Sequence, residues 1–179
     1  MWRTLGLILV FLNAQGAAPT AELAVGDQLP AIRGHFLTGR EAELPQMASG
    51  RAALLLLGFT YDSRFAVEDW AKRFRHDFGA RPAVTFFEIP MIGGMAAMGK
   101  WFIDGGMRRG TPRADQENVI TVYGGVDPWK RRVGFQDPKA AYLILISPSG
   151  RIVWRDAGEF DEGRYKALST ELSKLLAEK

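Results

Sequence analysis

No cysteine occurs among the 179 residues. That excludes disulfides, thiolate nucleophiles, and zinc or iron–sulfur centres held by sulfur. Histidine is scarce too, with 2 residues, His35 and His76, far apart in the chain. A metal site would have to rest on carboxylates, and the loose acidic group Asp156, Glu159, Asp161 and Glu162 reads as a solvated face at a helix start, where negative charge is favoured. No metal and no cofactor are expected. Neither sign of charge dominates: 23 Lys and Arg stand against 20 Asp and Glu, a net +3. So small an excess gives no reason to expect a nucleic-acid partner, and Lys130-Arg131-Arg132 reads as a solvated helix face. No apolar run approaches the roughly 20 residues a spanning helix needs. No internal repeat or low-complexity tract is present. What remains is an ordinary globular composition, 47% hydrophobic and 24% charged, long enough to bury one sizeable core.

The N-terminus carries a processing pattern. Met1-Trp2-Arg3-Thr4 holds one positive charge, Leu5 to Leu12 is apolar, and Asn13 to Ala17 is a small-residue region. This predicts a signal peptide over 1–16, cut after Gly16, then a flexible leader over 17–24 and one domain over 25–179. The mature chain is then expected in an exported, periplasm-like space; an uncleaved N-terminus would instead act as an anchor.

The stretch Ala52 to Trp70, AALLLLGFTYDSRFAVEDW, organises the domain. Its first part is a continuous apolar run, as in a strand covered on both faces. A sharp loop at Gly58–Arg64 follows, then a helix from Ser63 to Phe78 with Phe65, Ala66, Trp70, Phe74 and Phe78 inward and Gly79 closing it. Before this stretch, Thr38-Gly39-Arg40 predicts a small hairpin within Ile32–Leu44. After it come a strand at Ala83–Ile89 ended by Pro90, a helix over Met91–Met107, and a basic, polar loop over Gly110–Glu117. A strand at Asn118–Tyr123 and a short helix at Asp127–Val133 follow, with Pro128 in the first turn. Ala141–Ser147 and Arg151–Arg155 read as a hairpin about Pro148-Ser149-Gly150. The last element is an amphipathic helix over Asp161–Leu176, with Tyr165, Leu168, Leu172 and Leu175 inward. Strands separated by helices imply an α/β sandwich, a central mixed sheet flanked by helices.

That order is the thioredoxin-like one, and short strings add to it. Gly26-Asp27-Gln28-Leu29-Pro30 resembles the opening of peroxiredoxins and TlpA-like thioredoxins. Leu55 to Phe59 resembles the strand before their active-site loop. Ile120 to Tyr123 with Trp129 to Phe135 resembles their inserted strand and helix, and Ala141 to Trp154 their last hairpin. Within this superfamily the chain is most similar to the mitochondrial ATP synthase assembly factor family Atp-ten. The similarity lies in Ile89-Pro90 before a long helix and a basic loop, Tyr142 opening the hairpin, and Ile152-Val153-Trp154 followed by Gly158. The resemblance implies a chaperone that holds a hydrophobic membrane subunit during assembly.

In such proteins the loop after the central strand and the first helical turn carry the reactive cysteines. Here Thr60, Asp62, Ser63 and Ala66 occupy a vestigial version of that site. In one register Asp62 and Ala66 take the cysteine places, in another Ser63 does. A serine hydroxyl is hardly ionised at neutral pH, and a hydrolytic role would need a base that His76, about three turns along the helix, cannot supply. The expectation is a helix cap by Asp62 or Ser63. The family's cis-proline is also missing: Lys139-Ala140-Ala141 lies there, with Pro138 too early.

The candidate binding element is the methionine-rich segment, with Met91, Met95, Met98, Trp101, Phe102, Arg108 and Arg109. Methionine suits surfaces that accommodate varied apolar partners, and a basic end could face lipid phosphates. The plain alternative is a stripe packed on the sheet. Three functional readings follow. The first is a redox-inactive, non-enzymatic assembly factor or chaperone that binds a protein, such as a hydrophobic membrane subunit, with peripheral membrane contact. The second is a divergent peroxiredoxin or thiol–disulfide oxidoreductase relative. The third is a structural envelope scaffold.

Overall fold

The computed structural model describes residues 21–94 and 99–177. The sheet strands are β1 (Ile32–Phe36), β2 (Glu41–Leu44), β3 (Ala52–Gly58), β4 (Val84–Ile92), β5 (Ile120–Tyr123), β6 (Ala141–Ile146) and β7 (Ile152–Gly158). The helices are α1 (Ser63–Phe78), α2 (Lys100–Gly110), α3 (Val126–Val133) and α4 (Glu162–Ala177). The sheet has 7 strands in the order β2-β1-β5-β4-β3-β6-β7. β3, β4 and β5 run parallel, and an antiparallel hairpin completes each edge. The sequence placed an antiparallel hairpin at one edge only; β1 joins the other through His35 opposite Thr121 and Phe36 opposite Ile120.

All of β3 is buried, because helices cover both faces. Alternate residues serve different cores. Ala52, Leu54 and Leu56 meet Trp70 and Phe74 of α1 and Leu168 and Leu172 of α4. Ala53, Leu55 and Leu57 face Ile32, Ile89, Trp129 and Val133. The period-2 alternation of a strand thus splits one leucine run between two layers. Each buried leucine contributes about 1.5–3 kcal/mol of transfer free energy, so this strand anchors the whole domain.

Several boundaries differ from the sequence reading. Strand β4 does not stop at Pro90. Pro90 stands opposite Gly58, the last residue of β3, so its missing N–H falls where that ladder ends, and Met91 and Ile92 go on to pair with Val122 and Tyr123. The expected helix over Met91–Met107 is therefore a strand end and then α2, which begins at Lys100. Phe65 does not face inward. It lies off the α1 face defined by Ala66, Trp70, Phe74 and Phe78 and is 55% exposed. Gly79 closes α1 with φ −60, its value set by the Arg75 carbonyl 2.5 Å from where a Cβ would stand rather than by a left-handed turn. The Gly110–Glu117 loop contains a short 3-10 turn at Arg113–Asp115.

The end of the expected leader is attached. The Leu23 N–H donates to the Arg132 carbonyl at 2.8 Å, and the side chain is buried in the core with α3. The signal-peptide and cleavage-site expectations lie outside the described residues.

The parallel strands end at Gly58, Ile92 and Tyr123, and the connections to α1, α2 and α3 all leave from that one edge of the sheet. Carboxyl-terminal edges of this kind are where α/β folds place their sites.

Candidate functional site

Two groups of residues lie at this edge. The first is the loop after β3. Gly58 lets it fold back, since a Cβ there would come 2.9 Å from Ser63 Oγ. Phe59 then seats on an aromatic floor, 5.4 Å from the Phe135 ring and 5.5 Å from Tyr142. The Tyr142 hydroxyl accepts the Gln136 and Asp137 N–H groups at 2.9 and 3.0 Å and donates to the Asp137 carbonyl.

Above this floor Thr60 and Ser63 bond reciprocally. The Thr60 N–H donates to Ser63 Oγ at 3.2 Å, Ser63 Oγ donates to the Thr60 carbonyl at 2.8 Å, and the Ser63 N–H donates to Thr60 Oγ1 at 3.1 Å. The Thr60 hydroxyl donates onward to the Pro138 carbonyl. Thr60, rather than Asp62 or Ser63, therefore supplies the side-chain oxygen that satisfies a free amide of the first helical turn. Asp62 occupies the capping position without a side-chain bond, and it points to solvent. Ala66 is buried on the inner face of α1. Of the four positions singled out in the sequence, the fold joins Thr60 with Ser63 and sends Asp62 and Ala66 elsewhere.

This loop is chemically closed. Ser63 is 1% exposed and its hydroxyl proton is committed to a carbonyl. His76 lies near the far end of α1, its side chain 84% exposed beside Asp77. His35 sits on β1, where Nδ1 accepts from Lys100 Nζ at 3.2 Å. Ser63, among the described residues, bonds to Thr60 and to no histidine or carboxylate, so no nucleophile–base pair is formed there. Among the described residues the cis peptide is Leu44–Pro45, and Pro138 contributes to the loop through its carbonyl alone. Among the described residues no three histidine, aspartate or glutamate side chains converge as a metal centre.

On the outer side of the same loop, Tyr61 is 72% exposed, and the Arg64 guanidinium lies 4.1 Å from its ring centroid and 4.5 Å from that of Phe65. The sequence reading did not single out this stack. The placement of Phe65 off the inner face was the signal that could have found it.

The second group is α2. Of the residues expected to bind a partner, Met91 is excluded: it is the eighth residue of β4 and 2% exposed, packed in the sheet core. Met95 and Met98 lie outside the described residues. Trp101 and Phe102 are exposed, at 88% and 73%. None of the residues of α2 is buried. Lys100, Ile103, Asp104 and Met107 form its half-buried inner side, and Trp101, Phe102, Gly106, Arg108 and Arg109 its exposed side.

The helix is attached by polar bonds. The Tyr123 hydroxyl donates to Asp104 at 2.6 Å, Lys100 reaches His35, and Arg108 Nε donates to the Leu37 carbonyl at 2.7 Å. Burial of Tyr123, together with the Asp104 carboxylate it faces, raises its pKa and keeps the hydroxyl a donor. The Gln116 side-chain amide donates to the Arg108 and Thr111 carbonyls at 3.2 and 3.1 Å and finishes the helix end.

No family model and no curated protein matches the sequence. The resemblance to the Atp-ten family thus rests on the short strings alone. Solved structures do match. The chain is similar to the thioredoxin domain of a thiol–disulfide oxidoreductase from Bacteroides vulgatus, at 18% identity and TM-score 0.58, over 84% of this chain and 99% of that one. It is similar to a peroxiredoxin-like protein from Aquifex aeolicus, at 16% identity and TM-score 0.56, over 86% and 88% of the two chains. It is also similar to BsSco, a member of the Sco family of cytochrome c oxidase assembly proteins, at 12% identity and TM-score 0.57, over 88% and 98%. The chain has a thioredoxin-like fold, and it has that fold without a cysteine.

Proposed function

We propose that this chain is a redox-inactive thioredoxin-fold protein that binds another protein. The role proposed is an exported assembly factor or chaperone for a membrane complex, ATP synthase-like by resemblance. One observation carries the reading: where relatives of this fold are oxidoreductases, this chain has 0 cysteines, and the corresponding loop has both hydroxyls spent on closing itself. A scaffold without reactive groups retains its surfaces. The exposed Trp101 and Phe102 on α2 supply the aromatic anchors that dominate protein contacts. The Sco family's name ties one protein of this fold to cytochrome c oxidase assembly, which supports an assembly role as a class and not the partner.

The test is site-specific photo-crosslinking in intact cells, with the probe replacing Trp101 and a control probe at Lys174 on α4. The reading expects an adduct to a membrane subunit at position 101 alone, strongest while that subunit is newly made. Adducts that persist on the finished complex would indicate the envelope scaffold. No adduct at 101 would overturn the α2 surface. The enzymatic alternative is checked separately: peroxide turnover or insulin reduction above background would overturn the redox-inactive reading.

A further inference from the structure

The exposed side of α2 has an unusual composition. Its side chains are Trp101 and Phe102 in the first turn and Arg108 and Arg109 at the far end, with no carboxylate among them. The one acid of the helix, Asp104, is turned inward to the Tyr123 hydroxyl. From Lys100 to Arg113 the chain carries Lys100, Arg108, Arg109 and Arg113 against Asp104, a net +3 that equals the formal charge of all 179 residues. Three of these cations, Arg108, Arg109 and Arg113, are exposed near the aromatic pair that is the most exposed among the described residues. Helices that dock into a protein groove present apolar anchors at i, i+4 and i+7. Here the positions four beyond Trp101 and Phe102 are Gly105 and Gly106, and those seven beyond are Arg108 and Arg109. A Cβ at Gly106 would meet nothing within 4 Å, so the middle of the face is low and open. Aromatic rings at one end and exposed cations at the other suit an interface with an apolar boundary and a layer of phosphates.

We propose that α2 lies on an anionic phospholipid bilayer, with Trp101 and Phe102 at the acyl–headgroup boundary and Arg109 and Arg113 against lipid phosphates. The polar attachments of α2 to Tyr123, His35 and Leu37 leave its aromatic side free for this contact. Bilayer docking does not depend on the protein-binding role. It would hold the aromatic end where a membrane subunit comes into reach.

The test exploits the missing thiols, because a single introduced cysteine labels one place. Gly106→Cys in the full chain carries an environment-sensitive fluorophore, and Lys174→Cys is the reference. Each is mixed with protein-free vesicles of phosphatidylcholine alone or with about a third phosphatidylglycerol. The expected result is a blue shift at position 106 on the anionic vesicles only, reversed by high salt, with none at 174. Arg109→Gln with Arg113→Gln should weaken the shift about 30-fold in lipid concentration, at roughly a tenfold-or-less factor per cation. Trp101→Ala with Phe102→Ala should weaken it at least about tenfold while the chain keeps its circular dichroism. Equal shifts on neutral and anionic vesicles, no shift at 106, or an unaffected aromatic double variant would overturn the proposal. Because the vesicles contain no protein, such a failure would leave the crosslinking result standing, and the face would then belong to a protein alone.

Discussion

The loop after β3 and helix α2 leave the same edge of one sheet and both show aromatics to solvent, yet they spend their polar groups differently. The loop turns its polar groups inward and satisfies them: Thr60 and Ser63 bond each other, Phe59 sits on Phe135 and Tyr142, and Ser63 is buried. Helix α2 turns polar groups inward to hold itself and leaves its largest apolar side chains in solvent. The difference teaches where selection for function has room to act. A closed hydrogen-bonded turn resists change because any lost partner leaves a buried donor or acceptor unmet. A helix held by a few polar bonds can present costly exposed aromatics, which a domain with no use for them would have little reason to keep outward.

The largest expected effect sets the conditions for testing this contrast. Glu88 on β4, the strand between the two regions, is mostly buried beside Arg75, which pairs with Asp115 at 2.8 Å and stands 3.7 Å from Glu88. Burial pushes the Glu88 carboxyl from 4.5 up to about 7, with Glu68 and Asp115 adding to the rise and Arg75 opposing it. The folded state therefore holds this proton more tightly than the unfolded chain does. Its contribution is fully present below about 4.5 and is lost as pH rises through about 7. Glu88→Gln should match the wild type near pH 4 and exceed it by roughly 2–3 kcal/mol near pH 8 in denaturant unfolding. A constant offset across that range would contradict the burial argument.

The next effect breaks the closed side. Ser63→Ala removes a donor to the Thr60 carbonyl and the acceptor of the Thr60 N–H, and should cost about 2 kcal/mol, or about 4–8 °C in Tm. A change within about 0.5 kcal/mol, as expected of a surface substitution, would mean that the loop does not depend on that pair. A smaller effect belongs to α2. Tyr123→Phe deletes the bond to Asp104 and should speed amide hydrogen exchange in α2 about fivefold, corresponding to about 1 kcal/mol, with little change in the protection of β3. The smallest is Trp101→Ala with Phe102→Ala, expected to leave stability within about 0.5 kcal/mol while removing the proposed binding face around position 101. A large loss of stability there would show that the aromatic pair packs, and the contrast would collapse.

Much of the fold was legible because burial writes itself into periodicity. Leu54 to Leu57 announced a strand covered on both faces, and the turn at Pro148-Ser149-Gly150 announced a hairpin. The errors came where two signals overlap. Met91 belongs to a strand that continues past a proline, and only the position of Pro90 at the end of the β3 ladder explains why the proline is tolerated. Phe65 was read as core because it is aromatic and adjacent to Ala66, although a helix turns about 100° between neighbours. The exposure of Trp101 and Phe102 could not be read from spacing, since aromatic residues on a helix ordinarily mark its buried face. The reciprocal Thr60–Ser63 pair needed the loop conformation, although both residues had been singled out. Cysteine's absence was the strongest functional statement in the sequence, and the structure adds what the loop after β3 is instead: a self-satisfied turn.

The most direct measurement of the central claim compares photo-crosslinking probes at Tyr61 and Trp101 in intact cells. Both positions are exposed and lie on connections from the same sheet edge, so a difference between them reports on surface use rather than on access. The account expects membrane-subunit adducts from position 101 and none from position 61. Adducts from position 61 with none from 101 would contradict it and assign the partner to the Tyr61–Arg64–Phe65 stack.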